Sequence, residues 1–367
     1  MKVLLLSCLT GDGHNSAARA VQNELDMREI YNEIADPVSF RSEKAKRVVS
    51  SAYNNMIRKT PKAFGAVYKA GKLYDSTGLT SPVYWANSMY ARRLNNYIAE
   101  NGFDAVVCTH LFGMEAMTAI KKKCGGSVPC YGVLTDYTNI PFLCETALDG
   151  YFVPHENIKK QLCERGIPKE NVFCTGIPVA AKFNRHYEKK QAREMLDMAH
   201  GKKVFLIMTG GVGCENMFAL CDEFVNLNDK NTVAYVLVGR NADMKNKIDE
   251  KYRACGRVYS VPFTDQVNVY MNAADVLLSK SGGLSSTEAA VANVPFVCVK
   301  PIPGCETENA RFFTSKGMAL YADSYKQAAE YAYDLVNNKE KSEQMIASQR
   351  LNINPYAARD IVDLIMR

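Results

Sequence analysis

The chain has 367 residues, 47% hydrophobic and 23% charged, with a net charge of +6. That length exceeds one ordinary core and suits two domains of about 150–200 residues each, while the composition excludes a disordered chain. No apolar run reaches the roughly 18 residues that would span a bilayer. Twelve cysteines contain no C-x-x-C pair and lie mostly in apolar strands or helices, which favours free buried thiols in a reducing cytoplasm over disulfides. Five histidines fall in no ligand spacing, so no metal is expected. The opening MKVLLLSCLTG, with Leu6-Ser7-Cys8 imitating a lipoprotein cleavage site, is too short in its apolar part for a signal peptide and reads as a first sheet strand.

In chain order, residues 2–9 form a continuous apolar strand, 10–14 a glycine-containing turn, and a helix follows from Asn15 with Ala18, Val21 and Leu25 on one face. The next strand is 104–108, then a helix over 113–122, strands over 130–135 and 150–153, a helix over 156–165 and a short strand over 172–175. Such alternation argues for a doubly wound sheet. Residues 1–178 make this first domain and 179–190 a linker. The pattern restarts over 191–352: strand 203–209, the loop Gly210, Gly211, Val212, Gly213, a helix to about Val225, strand 233–238, helix 242–254 and strand 257–261. Helices near 325–337, 339–351 and 355–366 close the chain. Two similar α/β halves, each a Rossmann-like doubly wound domain, facing a cleft make the GT-B architecture.

Residues 38–95 interrupt this rhythm. From Arg41 to Arg93 there are eleven Lys and Arg against two acids, and the segment also holds Phe40, Tyr53, Phe64, Tyr68, Tyr74, Tyr84, Tyr90 and the only tryptophan, Trp85. Cationic and aromatic side chains together suit the headgroup layer of an anionic bilayer, where each basic residue contributes roughly 1 kcal/mol. Lys59, Lys62, Tyr68, Lys69, Tyr84 and Trp85 are the candidates to face a membrane or a lipid acceptor. The alternative is a pair of solvated helices whose aromatic residues tuck into the core. Nucleic acid is disfavoured because no recognition motif accompanies the charge.

The most informative stretch is 280–308, KSGGLSSTEAAVANVPFVCVKPIPGCETE. A strand ends in the turn Ser281, Gly282, Gly283, which opens a helix at Leu284; a second strand over 295–299 runs through Pro301–Cys305 into another helix. Open α/β sheets bind ligands at the carboxyl edge of their strands, and an uncapped helix start suits a diphosphate. Glu288 is placed to accept from a ribose diol, and Glu306 and Asn309 to read sugar hydroxyls. The alternative is an ordinary repeat whose glycines only make tight turns.

These residues resemble the monogalactosyldiacylglycerol synthase and processive diacylglycerol glucosyltransferase family, with the lipid II-forming N-acetylglucosaminyltransferase as a more distant relative. The family pattern K-x-G-G-L-x-x-x-E-A stands here as Lys280, Gly282, Gly283, Leu284, Glu288 and Ala289. P-x-P-G-Q-E-x-x-N-A stands as Pro301, Pro303, Gly304, Cys305, Glu306, Asn309 and Ala310, with Cys305 in place of the usual glutamine. The N-terminal G-x-G-H-x-x-x-A element is matched by Gly11, Gly13, His14 and Ala18. By resemblance, the fold is GT-B, the last helix (353–367) returns to the first half, and His14 is the catalytic base. A helix start would keep its imidazole neutral and able to take a proton at pH 7. Asp136, in a T-D element, is a candidate to orient His14, to be the base itself, or to bind the acceptor; a turn-capping role is the alternative.

The resemblance also implies a UDP-sugar donor, UDP-glucose or UDP-galactose, held in the second half. Gly13, Gly210, Gly211, Gly213, Lys280, Ser281, Gly282, Gly283, Leu284, Gly304 and Cys305 would approach it, and Phe263 would hold the uracil. No D-x-D sits at a strand end, so no cofactor or metal is expected. The implied reaction inverts the donor and forms a β-glycolipid from diacylglycerol or a glycosyldiacylglycerol. The protein is then cytoplasmic and peripherally bound to the cell membrane. Two other readings stay open: a soluble UDP-N-acetylglucosamine 2-epimerase, which has no use for the basic aromatic segment, and a non-catalytic nucleotide-sugar sensor.

Overall fold

The computed structural model describes residues 1–8, 12–208 and 214–367; within these, the side chains at 12, 53–54, 57–59, 61–62, 64 and 214–216 are not described. The chain forms two compact units. The first comprises Met1–Ala181, Pro303–Cys305 and Asn354–Arg367, and the second Lys182–Ile302 and Glu306–Ile353.

In the first unit the strands are β1 (Lys2–Leu6), β2 (Tyr31–Ala35), β3 (Ala105–Cys108), β4 (Cys130–Val133), β5 (Gly150–Val153) and β6 (Val172–Cys174). All pair in parallel, in the order β2-β1-β3-β4-β5-β6. Apart from the exposed Lys2 at the start of β1, the inner strands are made of apolar and aromatic residues and glycine because both sheet faces are covered. Along β1, Leu4 and Leu6 join one core with Leu94, Ile98, Met114 and Met117, while Val3 and Leu5 join another with Val21, Leu25, Ile361 and Val362. The last two belong to the helix Ala357–Ile365, which packs on Asp12–Met27.

The second unit repeats the plan with β7 (Lys203–Met208), β8 (Thr232–Gly239), β9 (Val258–Pro262), β10 (Val276–Ser279), β11 (Phe296–Val299) and β12 (Leu320–Ala322). Their order is β12-β11-β10-β7-β8-β9, again all parallel. The winding reverses between β1 and β3 in one unit and between β7 and β10 in the other. Such switch points are where open sheets bind ligands.

Both strands that the sequence pattern did not pick out, β2 and β12, lie at sheet edges. With one neighbour and one wet flank they carry Tyr31, Asn32, Glu33 and Tyr321 instead of an apolar run.

The region 38–95 is helical: Glu43–Lys59, Pro61–Asp75 and Pro82–Ser88, followed by Ala91–Asn101. Ser42 and Ser81 cap the first and third by accepting from the backbone N–H of Ala45 and Tyr84, and Pro61 and Pro82 stand at first-turn positions that need no N–H donor. Among the described residues, no helix is long and apolar enough to cross a membrane.

Candidate active site

At the switch point of the first sheet, the loops after β1, β3 and β4 are tied together. Ser7 donates its hydroxyl to Asn15 Oδ1 (2.7 Å) and the Thr109 N–H donates to the Leu6 carbonyl (3.0 Å). His14 lies in the first turn of Asp12–Met27, with Gly13 half-buried beside it. Its Nδ1 is 2.8 Å from the Thr109 carbonyl oxygen and 3.0 Å from Thr135 Oγ1. A carbonyl only accepts, so Nδ1 carries the proton and Nε2 keeps the lone pair. Burial lowers the His14 pKa, against the opposing effect of the Thr109 bond. The imidazole is therefore neutral at pH 7, chiefly through desolvation.

His110 meets the His14 ring edge-on at 4.7 Å between centroids. Its Nδ1 accepts from the Phe112 N–H, which requires a neutral ring, and burial followed by His14 holds its pKa well below the ordinary value. Asp136, half-buried, directly follows Thr135. Of the roles open to it, orienting His14 through Nδ1 falls instead to Thr109 and Thr135, which reach that nitrogen from the two neighbouring strand ends. Neither threonine was singled out from sequence; their positions just past apolar strands were the available signal.

In the second unit the expected turn follows β10. Gly282 is the N-cap of Gly283–Val291 with φ −63° and ψ 138°, and as a glycine it offers no side chain to cap the first turn. Among the described residues, a Cβ added at Gly282 would meet nothing within 4 Å. Lys280 is half-buried beside it. Ser281 is fully buried and donates its hydroxyl to the Glu306 carbonyl (2.6 Å), so it joins the two strand-end junctions. Leu284 has its side chain buried in the unit; only its backbone can serve a donor. Glu288 is half-buried, and burial pushes its carboxyl up to about 8 against the pull of Lys182.

One oxygen of Glu306 accepts from the Ile302 N–H at 2.7 Å and shapes its own loop. Asn309 lies on the buried face of Cys305–Ser315 with Ala310, Phe312 and Phe313, so its amide belongs to the interior, unlike the hydroxyl-reading role expected of it. Gly210, Gly211 and Gly213 lie outside the described residues. Phe263 follows β9 and is 58% exposed, with the Arg240 guanidinium 4.2 Å from its ring centre. Arg240, just past β8, was not anticipated.

The basic segment divides. Tyr84 is 5% exposed and part of the first unit's core, which corrects its expected membrane-facing role: it lies on the inner side of Pro82–Ser88, packed on Leu111–Cys124. Trp85, the next residue, is 56% exposed, and Leu73, Leu79 and Met89 are exposed as well. Lys123, at the end of Leu111–Cys124, stands 4.8 Å over the Trp85 ring. This lysine lies outside 38–95, although the run Lys121, Lys122, Lys123 was visible in the sequence. Lys69 is exposed; the Lys59 and Lys62 side chains lie outside those described. Tyr68 is half-buried on the inner side of Pro61–Asp75 with its hydroxyl enclosed.

Two all-parallel doubly wound sheets, one in the 2-1-3 order and one in the Rossmann order, define a GT-B fold. Solved structures bear this out: MurG of Acinetobacter baumannii (17% identity, 100% of this chain and 99% of that one, TM-score 0.62) and the UDP-GlcNAc 2-epimerase of Neisseria meningitidis bound to UDP-GlcNAc (17%, 100% of both chains, 0.63). The monogalactosyldiacylglycerol (MGDG) synthase family model matches residues 14–179, and the UDP-N-acetylglucosamine 2-epimerase model residues 145–366. A processive diacylglycerol beta-glucosyltransferase of Bacillus licheniformis is 26% identical over 350 residues, covering 94% of this chain and 88% of the relative. The chain thus belongs to the UDP-N-acetylglucosamine 2-epimerase family over residues 145–366, and it is similar to monogalactosyldiacylglycerol synthases over 14–179 and to processive diacylglycerol glucosyltransferases over nearly its whole length.

Proposed function

We propose that the protein moves a hexose from UDP-glucose or UDP-galactose to diacylglycerol or a glycosyldiacylglycerol, with inversion, at the cytoplasmic surface of a membrane. The observation that carries the reaction is the tautomer of His14: Nδ1–H is committed to the Thr109 carbonyl, and Nε2 is a neutral base. In this reading Nε2 takes the proton of the acceptor hydroxyl as its oxygen attacks the anomeric carbon. The bond to UDP breaks on the opposite face, which gives a β-glycoside. The uncapped start of Gly283–Val291 and Lys280 take up the charge of the departing diphosphate, so no metal is required. Glu288 accepts from the ribose, and Phe263 supports the uracil. Trp85 and the lysines around it rest in the headgroup layer.

The test is UDP release from a panel of UDP-sugars, with and without liposomes of diacylglycerol and an anionic lipid. Lipid-dependent turnover with a chloroform-soluble glycolipid is the expected result. The match of residues 145–366 favours a second reading, epimerisation of UDP-N-acetylglucosamine. Conversion of that nucleotide sugar at equal rates with and without lipid would replace the first reading by the second.

A further inference from the structure

Within the first unit, the helix Pro61–Asp75 is fitted closely onto two loops. A Cβ on Gly65 would stand 2.6 Å from Pro303 Cβ, and a Cβ on Gly304 would stand 3.3 Å from the Tyr68 ring, so the contact depends on glycine at both places. Further along, Gly71 faces Pro141 and Phe142, and Tyr74 meets Phe142 edge-on at 6.2 Å. One loop thus carries Asp136 and Thr138, the other ends at Cys305, and Tyr68 stands against both.

The Tyr68 hydroxyl is enclosed. The Cys305 thiol and the Thr138 hydroxyl lie close enough to interact with it and the Asp136 carboxylate bears on it from further off, but among the described residues none meets it in ordinary hydrogen-bond geometry. Burial, then Cys305, push the phenol above its ordinary range, so it stays a proton donor at any working pH. Buried hydroxyls in folded proteins nearly always have a partner, and a missing one points to water or a ligand group. Lys72 covers the ring face at 5.2 Å. The groups around the hydroxyl are a thiol, a hydroxyl and one carboxylate. That set repels a phosphate and gives an acyl chain nothing to satisfy the phenol, whereas a sugar hydroxyl both donates and accepts.

We propose that Tyr68 is a substrate-binding residue whose hydroxyl donates to a hydroxyl of a hexose held beside Asp136 and Cys305. The proposal rests on the glycosyltransferase reading above. The hexose has two sources, the donor's sugar or the terminal sugar of a glycolipid acceptor.

The test is Tyr68→Phe in the full chain, which removes one oxygen. UDP affinity should stay at the wild-type value and the melting temperature should hold or rise, because an unpartnered buried hydroxyl has been removed. Transfer should fall about tenfold, the worth of one such bond. A donor hexose is indicated when KM for the UDP-hexose rises with both diacylglycerol and glycosyldiacylglycerol as acceptor. An acceptor hexose is indicated when only the second transfer falls. Wild-type rates for both transfers overturn the proposal, as does a loss of UDP affinity in step with a lower melting temperature, which marks a merely structural role. Wild-type protein that neither binds UDP nor transfers a hexose overturns the underlying reading and this proposal with it.

Discussion

The two switch points are built from opposite materials. In the first unit the strand ends present side chains, His14, His110 and Thr135, joined with the Thr109 carbonyl by hydrogen bonds and an edge-on ring contact. In the second unit the strand end presents backbone: a glycine cap, a helix start that its own cap residue leaves unbonded, and a Cβ position that no described residue approaches. A proton is moved by a group with a set tautomer and pKa, whereas a diphosphate is held by N–H groups that no side chain obstructs. In the proposed reading, the same fold, doubled, thereby separates proton chemistry from anion binding. The family matches divide along the chain in a parallel way, with the synthase model on residues 14–179 and the epimerase model on 145–366.

The largest expected effect breaks the first side alone. His14→Ala should lower kcat by about a hundredfold or more and leave UDP affinity within about twofold. In the wild type, the His14 pKa lies below the ordinary 6.5, so the neutral, working form prevails above it. Activity should therefore decline only as pH falls below that value. The same sign governs stability: the unfolded chain binds the proton more readily, so this contribution is lost on acidification. A near-normal kcat in His14→Ala would remove the base from the first unit.

The second side breaks at Gly282. Its φ of −63° suits any residue and no described residue comes within 4 Å of its Cβ position, so Gly282→Ala should fold normally and gain slightly in melting temperature through a stiffer unfolded chain. If this helix start holds the diphosphate, UDP affinity should nevertheless fall about tenfold, because the new methyl would stand where phosphate oxygens approach. Calorimetry with UDP decides it. Unchanged affinity would make this glycine an ordinary turn residue.

A smaller effect sharpens the comparison. Glu288 is protonated at pH 7, with its carboxyl pushed up to about 8. If the carboxylate receives the ribose diol, UDP should bind several-fold more tightly at pH 8.5 than at 6.5, and Glu288→Gln should flatten that slope. The raised pKa also predicts that wild-type stability falls as pH rises from the ordinary carboxylate range towards about 8, and less so in the variant. A flat wild-type binding profile would take Glu288 out of the donor contact.

The inner strands and the glycine turn after β10 were legible from sequence because burial on both faces writes itself as an apolar run and a tight turn as glycines. The edge strands were not, since β2 and β12 are half wet. Nor was the group that holds His14. Thr109 acts through its carbonyl, which any residue would supply, and Thr135 comes from a strand end over a hundred residues away. Tyr84 and Trp85 were read alike because composition counts aromatic residues, but neighbours on one helix point some 100° apart, and only one can face the core. Leu284 and Asn309 were assigned by pattern, where their side-chain burial is a property of packing.

That division of Tyr84 from Trp85 yields the smallest predicted effect. Lys123 donates to the Ser88 hydroxyl at 3.1 Å and lies over Trp85, so its charge sits on the exposed side of Pro82–Ser88 while Tyr84 anchors the inner side. If that outer side meets anionic lipid, Lys123→Ala should weaken partition onto anionic vesicles about fivefold, the equivalent of roughly 1 kcal/mol for one basic residue. Partition onto neutral vesicles should barely change, and the fall should diminish at high salt as screening shortens the reach of the charge. Trp85→Ser should instead weaken binding to both kinds of vesicle, because the ring contributes through burial in the interface. Equal partition of Lys123→Ala and wild type onto anionic vesicles would return the lysine to a packing role over Trp85, and leave that face of the first unit without an electrostatic claim on the bilayer.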